Sequence, residues 1–191
     1  RRIAELLPTV KAICVREKEG FQQLKERYHL KNVILTNDIV LNNRSINLKN
    51  VYRDKPEISL PDIMPGSIAV IPNQRNYEVG NESQVQNFYI LMIKKLLQIC
   101  PAVYLISHSS PDIHICKQLK TEFATESRVI LIDKELNCIE FNEIVKKFHF
   151  IVASRFHAIV HAFKNNIPCI ALGWATKYHE LMKQFSQERY M

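Results

Sequence analysis

Short apolar runs alternate with longer amphipathic segments from Ser67 to the end of the sequence. The apolar runs predict five strands, at residues 67–71, 102–106, 128–132, 150–153 and 168–172. The segments between and after them predict five helices, at residues 81–99, 112–123, 140–148, 155–164 and 176–185. Apolar strands that alternate with helices are typical of a parallel sheet covered on both faces. The predicted fold class is therefore α/β, a Rossmann-like doubly wound parallel sheet.

The helix predicted at residues 81–99 has the clearest apolar stripe. Asn81 precedes it and is a good N-cap residue, because its side chain can accept hydrogen bonds from the first free N–H groups. The stripe predicts which side chains pack on the sheet: Val85, Phe88, Tyr89, Met92, Leu96 and Ile99.

The first 41 residues show the same alternation of apolar runs and amphipathic segments, over fewer elements. Apolar runs at residues 12–15 and 32–35 predict two strands, and the segment 17–28 between them has helical spacing. Asn37-Asp38 is predicted to form a turn after the second strand. The first residue is Arg1 rather than methionine, and we therefore expect the chain to be part of a longer protein.

Residues 42–66 have no regular pattern, because Asn42-Asn43 and three prolines interrupt it: Pro56, Pro61 and Pro65. We therefore predict a linker or crossover here. Residues 1–41 would then form the end of an N-terminal Rossmann-like domain. Residues 67–191 would form a C-terminal Rossmann-like domain, with ligands beyond the carboxyl ends of its strands.

Several common functional motifs are absent from the sequence. With only four glycines, neither the GxGxxG dinucleotide motif nor a P-loop can be built, and HExxH and GxSxG are missing too. The five cysteines include no CxxC pair, which disfavours a zinc knuckle. They predict buried, reduced thiols and hence a cytoplasmic location. No apolar run is long enough for an integral membrane segment.

The net charge of +7 and the pI of about 9.2 are compatible with an anionic substrate, a membrane surface or nucleic acid. The basic residues are scattered and form no run of five, so solvated helix faces account for most of them. Because no aromatic platform or recognition helix accompanies them, we expect no nucleic-acid partner. Association with a membrane surface stays open.

The segment from Ile151 to Ala158 concentrates the candidate chemistry. An apolar strand ends at Ala153, Ser154 is the predicted N-cap, and Arg155, Phe156 and His157 follow in the first helical turn. Free N–H groups and the positive helix end favour an anion there. Arg155 would add a planar fork for a carboxylate or phosphate, and His157 a group that titrates near neutral pH.

A purely structural interpretation of this segment is also open. Arg155 could simply be solvated at a common strand-to-helix turn. His157 and His161 lie one helical turn apart, so one of them could be a packed core histidine. A metal site on these two histidines is disfavoured, because no third ligand is obvious nearby.

Four segments carry a resemblance to a known family. Residues 153–159 (ASRFHAI), 167–173 (IPCIALG) and 177–182 (KYHELM) resemble the C-terminal signature of polysaccharide pyruvyl transferases, and residues 15–21 (VREKEGF) resemble that family's Arg-Glu segment. Two positions depart from the pattern. Gly20 stands where a small hydroxyl residue is usual, and Asp38-Ile39-Val40 stands where Asp-Pro is common.

The resemblance implies a GT-B-like enzyme of two domains, of which this chain holds the C-terminal, donor-binding half. It implies a transferase with phosphoenolpyruvate as co-substrate and a sugar or polysaccharide as acceptor. No motif in the sequence requires a metal, and we expect no cofactor besides phosphoenolpyruvate. It places Arg155 and His157 at the phosphoenolpyruvate site and suggests Arg16 as a second anion contact. Polysaccharide biosynthesis would be the setting.

The reaction that the resemblance implies needs a proton donor and an anion clamp. His157 is the candidate general acid/base, and Arg155 would hold the carboxylate or phosphate. Phe156 is expected to pack in the core while its N–H faces the ligand. Lys177 is a further candidate anion contact, with a solvated first-turn lysine as the equal alternative. His108, Trp174 and Arg75 are weaker candidates at the same sheet edge.

Two rival functions stay open at this stage. A GT-B nucleotide-sugar glycosyltransferase would share the fold, and Glu180 could serve as its ribose-binding carboxylate. A non-catalytic binding module would fit the positive charge. The oligomeric state and the acceptor sugar are not determined by the sequence.

Overall fold

The computed structural model describes residues 5–42, 47–52 and 58–191. Asn43 and Pro56 of the predicted linker lie outside the described residues, as does Arg1. Within the described ranges, no helix is both long enough and apolar enough to cross a membrane.

The described strands form two parallel sheets. Their bounds are β1 (Ile13–Val15), β2 (Val33–Leu35), β3 (Ile68–Ile71), β4 (Val103–Ile106), β5 (Val129–Ile132), β6 (Phe150–Ala153) and β7 (Cys169–Ala171). The main sheet has five strands in the order β5-β4-β3-β6-β7, and every neighbouring pair is parallel. The predicted parallel sheet with five strands is confirmed.

The described helices flank these strands. Their bounds are α1 (Lys18–Glu26), α2 (Ile39–Asn42), α3 (Gln74–Val79), α4 (Glu82–Leu96), α5 (Ile113–Glu122), α6 (Cys138–Val145), α7 (Phe156–Lys164) and α8 (Thr176–Gln184). Single 3-10 turns lie at Leu7–Thr9, Leu48–Asn50, Ser110–Asp112 and Glu188–Tyr190.

The strand order creates a crevice at the carboxyl edge of the main sheet. From β3 the chain proceeds outward through β4 to β5, and it then returns to place β6 on the other side of β3. Connections that leave neighbouring strands in opposite directions open a crevice beyond their carboxyl ends, and ligands bind there in doubly wound sheets. The segments after β3 and β6 are therefore the expected position of a site.

Two apolar layers bury the main sheet. Ile71, Tyr104 and Ile151 belong to a core cluster with α6, α7 and α8 on one face. Val70 and Leu105 belong to a second cluster with α4 and α5 on the other face. Because both faces are covered, the strands are apolar at nearly every position, which explains the continuous apolar runs in the sequence.

Residues 13–42 form a smaller unit that contacts the main sheet's helices. Strands β1 and β2 pair in parallel with Ile13 opposite Val33, and α2 packs against α7. Asp38, predicted to be part of a turn, lies immediately before α2, where its Oδ1 accepts a hydrogen bond from the N–H of Val40 over 3.0 Å. This contact matters for the site, because it places a carboxylate beside the start of α7.

The structure differs from the sequence predictions in several local features. Helix α3 was not predicted; Asn73 caps it by accepting a hydrogen bond from the N–H of Arg75 over 2.9 Å. Helix α4 ends at Leu96, and its predicted stripe is wrong at Phe88 and Ile99, which are exposed. Tyr89 and Leu96 of the predicted stripe are buried, and Ile93, which the stripe did not include, completes the buried face.

The cysteines are all free thiols, but only some are buried. Cys100, Cys116 and Cys169 are buried, as predicted. Cys14 and Cys138 are exposed, so the prediction of buried thiols is wrong for these two.

Gly173 is required by close packing at the end of β7. A Cβ atom at this position would lie 2.4 Å from the ring of Tyr178, closer than van der Waals contact allows. We expect Gly173→Ala to lower the free energy of unfolding by about 1–3 kcal/mol, the usual cost of overpacking. Urea denaturation measures this change.

Gly20→Ala is the matched control for this substitution. Gly20 lies within α1, and a Cβ there would meet Val15 at an ordinary 3.4 Å. Because alanine is the better helix former, the free energy of unfolding of this variant should be unchanged or higher by up to about 1 kcal/mol. Equal unfolding free energies for the two variants would contradict the packing argument.

Candidate active site

A polar cavity of about 670 Å³ lies at the carboxyl edge of the main sheet. Its walls come from the segments that follow four strands: Asn73, Gln74, Arg75 and Glu78 after β3; His108, Ser109 and Pro111 after β4; Arg155, Phe156 and His157 after β6; and Trp174, Lys177 and Tyr178 after β7. Four of the five residues predicted to bind substrate therefore line one cavity.

Ser154 joins the end of β6 to three other elements. Its N–H donates to the carbonyl of Ile71 over 3.0 Å, and its hydroxyl shares a hydrogen bond of 3.0 Å with the hydroxyl of Tyr89. Its carbonyl accepts hydrogen bonds from Asn73 Nδ2 over 3.0 Å and from the Tyr178 hydroxyl over 2.9 Å. The start of α7 is thereby held in place from several sides.

The prediction that Ser154 caps α7 is wrong. Arg155 occupies the N-cap position with extended backbone (φ −97°, ψ 123°), and α7 begins at Phe156. No side chain caps the helix, and Ser154 is fully buried in the network just described. Phe156 and His157, the first two residues of α7, line the cavity, and the backbone N–H of Phe156 also interacts with the hydroxyl of Tyr178.

Arg155 forms a two-point ion pair with Asp112. Its Nε donates to Oδ2 over 2.7 Å and its Nη2 donates to Oδ1 over 2.5 Å. Asp112 has no exposed surface, while about a quarter of the Arg155 side chain is exposed. The interpretation of Arg155 as a merely solvated side chain is therefore wrong. One edge of its guanidinium contacts a buried carboxylate, and the side chain also lines the cavity.

His157 lies in the first turn of α7 with half of its side chain exposed. Its Nε2 is 3.8 Å from Oδ2 of Asp38, which is almost completely buried. Partial burial lowers the pKa of His157, and the positive charges of Arg16 and Lys177 lower it further, while the Asp38 carboxylate opposes them. The cations and the carboxylate around this imidazole therefore act on its protonation in opposite directions.

Arg16 lies beside the cavity rather than in its wall. Its Nη1 donates to Asp38 Oδ2 over 2.6 Å and its Nε donates to Glu17 Oε1 over 2.8 Å. The guanidinium carbon is 4.3 Å from the centre of the Phe156 ring, a cation–π distance. Phe156 is buried, as predicted.

Lys177 contacts the same aromatic ring from the cavity. Its Nζ is 5.4 Å from the ring centres of both Phe156 and Tyr178. Lys177 forms no ion pair with any carboxylate in the described parts of the chain, whereas Arg155, Arg16 and Arg75 each do. Its ammonium group is therefore available to an anionic ligand.

Two further histidines lie near His157, one in the core and one in the cavity wall. His161 points away from the cavity and is buried, with Nδ1 3.1 Å from Asn142 Oδ1; it is the packed core histidine of the pair. His108 lines the cavity against the ring of Phe141, and burial, with the nearby His157 and Arg155, lowers its pKa to about 4. Within the described residues, no cluster of three or more His, Cys, Asp or Glu side chains could hold a metal.

The carboxylates at the site were missed by sequence reasoning. Asp112 and Asp38 each follow a strand, β4 and β2, so their position near a sheet edge was open to prediction. Nothing in the local pattern indicated which arginine each would contact. Glu180, proposed for ribose binding, accepts a hydrogen bond from the N–H of Lys18 over 3.3 Å and lies in a small cleft beside Arg16, outside the main cavity.

The fold is that of a Rossmann-like, GT-B-like α/β domain. The sequence profile of the polysaccharide pyruvyl transferase family matches residues 1–176, and the chain belongs to this family. It is therefore a member of a transferase family. A comparison with curated proteins finds no significant match.

A solved structure supports the fold independently. The crystal structure of Methanocaldococcus jannaschii UDP-GlcNAc 2-epimerase in complex with UDP-GlcNAc and UDP is similar, with a TM-score of 0.64 and 15% identity. The similarity covers 91% of this chain and 48% of the epimerase chain, so this chain spans about half the length of that relative. At this identity the similarity shows the Rossmann-like, GT-B-like fold alone.

The charges around His157 lead to a pair of opposite predictions. Asp38→Asn should lower the pKa of His157, because it removes the carboxylate that favours the imidazolium. Lys177→Met should raise it, because it removes a nearby positive charge. Titration of the imidazole resonances by NMR measures both shifts. Glu126→Gln is the control, because Glu126 precedes the start of β5 and thus lies at the opposite edge of the parallel sheet from His157. Shifts in the same direction for the two variants would contradict this account.

The buried His161 should make the folded protein less stable at acid pH. Burial, with the nearby His108 and Lys164, lowers its pKa in the folded protein to about 4, against an ordinary value of 6.5. Between these values the unfolded chain binds more protons, so the free energy of unfolding should decrease as the pH falls from about 6.5 to 4, by up to about 3 kcal/mol from this group. Urea denaturation across this range should show a shallower pH dependence for His161→Gln. An unchanged slope would exclude this contribution.

Proposed function

We propose that this chain binds phosphoenolpyruvate in the cavity at the carboxyl edge of the main sheet, as the donor-binding part of an enzyme that transfers its pyruvyl group to a sugar or polysaccharide as a ketal. The observation that carries the proposal is the convergence of Arg155, Lys177 and His157 on one cavity within a chain of this family. They combine two cationic groups with one group suited to proton transfer.

The anionic groups of phosphoenolpyruvate would contact three kinds of donor. The guanidinium edge of Arg155 that does not contact Asp112 offers two parallel N–H groups. Lys177 offers an ammonium group without a carboxylate partner among the described residues. The start of α7, where the N–H of His157 lies, adds the positive end of a nine-residue helix. Arg16, which lies on the ring of Phe156 outside the cavity wall, would add positive charge near the bound anion.

His157 is the proposed general acid. Transfer of a proton from its imidazolium to the methylene carbon of phosphoenolpyruvate makes the neighbouring carbon electrophilic. A sugar hydroxyl adds to that carbon and gives its proton to the now neutral imidazole of His157. Phosphate departs with the C–O bond electrons, and a second hydroxyl closes the ketal and gives its proton to the departing phosphate. Since the bound anion would favour the imidazolium, substrate binding would counteract the lowered pKa of the free site.

The remainder of the cavity is proposed to face the acceptor. A volume of about 670 Å³ exceeds what phosphoenolpyruvate needs. Trp174, 44% exposed at the rim, could cover a sugar ring.

The proposal includes the domain division at residues 1–41, 42–66 and 67–191, and it requires no metal or further cofactor. A cytoplasmic location would fit phosphoenolpyruvate, a metabolite of that compartment.

A nucleotide-sugar donor is the second candidate, favoured by the similarity to an epimerase structure whose title names UDP-GlcNAc and UDP. Against it, Glu180 lies outside the main cavity and contacts the N–H of Lys18. Titration with uridine diphosphate beside phosphoenolpyruvate separates the two donors.

Calorimetric titration of phosphoenolpyruvate into the full-length protein tests the proposal. We expect saturable binding that Arg155→Ala weakens by about 30-fold or more, since charge-assisted hydrogen bonds to an anion contribute roughly 2 kcal/mol or more. His157→Ala should weaken binding less and should abolish ketal formation, because its role is proton transfer. Glu143→Gln, on the outer side of α6, is the control. Absence of binding by the folded wild-type protein would refute the proposal.

A further inference from the structure

Asp112 is the most deeply buried carboxylate near the cavity. It has no exposed surface, and its three hydrogen bonds reach two other elements. Both oxygens accept from Arg155, over 2.7 and 2.5 Å, and Oδ1 also accepts from the N–H of Gln74 over 3.0 Å. It therefore connects the segment after β4 with the start of α3 and the start of α7.

The carboxylate does not perform the local task that its position would suggest. Asp112 is the N-cap residue of α5, where an aspartate usually accepts hydrogen bonds from the first N–H groups of its own helix. No such side-chain hydrogen bond is present in α5. The carboxylate is directed away from its own helix and toward Arg155, 43 residues further along the chain.

Stability alone is a weak reason for this arrangement. Burial of an ion pair removes both charges from water, and the desolvation often offsets the attraction between them. What the pair does supply is orientation, because the planar guanidinium is held at two points. Arg155 uses Nε and one N–H of Nη2 for Asp112, which leaves the outer edge formed by Nη1 and Nη2 for a ligand.

We infer that Asp112 is a positioning residue of the donor site, which holds Arg155 so that the outer edge of its guanidinium faces the carboxylate or phosphate of phosphoenolpyruvate. This inference rests on the proposed function. Because the ion pair has no net charge, Arg155 recognises the anion through directed hydrogen bonds, and Lys177 supplies the uncompensated positive charge.

Calorimetric titration of phosphoenolpyruvate into full-length variants tests this role. Asp112→Asn retains the size of the side chain but loses the second acceptor for Arg155. We expect it to bind phosphoenolpyruvate about 10- to 100-fold more weakly than the wild type, the scale of a misplaced binding group. Added to Arg155→Ala, the same substitution should change the affinity by less than about twofold, because the two residues act as one unit.

A chemical rescue distinguishes positioning from general stability. Asp112→Ala leaves a carboxylate-sized space beside Arg155, and added formate should restore most of the lost affinity for phosphoenolpyruvate. Formate should not restore affinity in Arg155→Ala. Glu140→Gln is the matched control, because Glu140 is also a largely buried carboxylate, with an ion pair of 2.6 Å to Lys134, and it does not line the cavity. Thermal melting verifies that each variant is folded.

The outcomes separate this inference from the proposed function. If the wild type binds phosphoenolpyruvate and Asp112→Asn binds it within twofold as tightly, the positioning role is refuted while the donor site stands. The role would also be refuted if Asp112→Asn lowered the affinity for phosphoenolpyruvate equally in the wild type and in Arg155→Ala. It would be refuted too if formate did not raise the affinity of Asp112→Ala. If the folded wild type binds no phosphoenolpyruvate, the proposed function and the role of Asp112 are both refuted.

Discussion

The buried hydrogen bonds around Ser154 determine where the chemistry of this protein can lie. This residue ends β6, and its backbone and hydroxyl are held by Ile71, Asn73, Tyr89 and Tyr178, which come from the segments around β3, α4 and α8. A buried polar group that loses such a partner costs free energy, so the arrangement tolerates little displacement. As a result, the next three residues enter the cavity in a defined backbone conformation.

A second constraint is the pairing of both arginines with buried carboxylates. Asp112 holds Arg155 and Asp38 holds Arg16, each over hydrogen-bond distances of 2.7 Å or less. Their positive charges are thereby largely compensated before any ligand arrives. An anion at this site would meet oriented N–H groups in the first place, with Lys177 as the added charge, and such an arrangement selects by shape as well as by sign.

The smaller unit at the beginning of the described chain contributes to the same site. Asp38 and Arg16 belong to the segments around β1 and β2, yet they contact His157 and Phe156 of α7. In a family whose proposed chemistry needs both a donor and an acceptor, this contact connects the protonation of the candidate general acid with the packing of the two units. The imidazole responds to charges from both.

The sequence by itself determined the layers of the fold and the edge at which the site lies, because buried parallel strands need apolar residues on both faces and their carboxyl ends share one edge. It also indicated Arg155 and His157 as candidate site residues, since a strand end followed by polar residues is a local pattern. Which side chains contact the site residues was decided by the tertiary structure. Asp112 meets Arg155 across 43 residues, Asp38 meets Arg16 across 22, and Ser154 is buried instead of capping a helix. These contacts depend on the strand order β5-β4-β3-β6-β7 and on how α2 packs against α7, and no local spacing in the sequence encodes either.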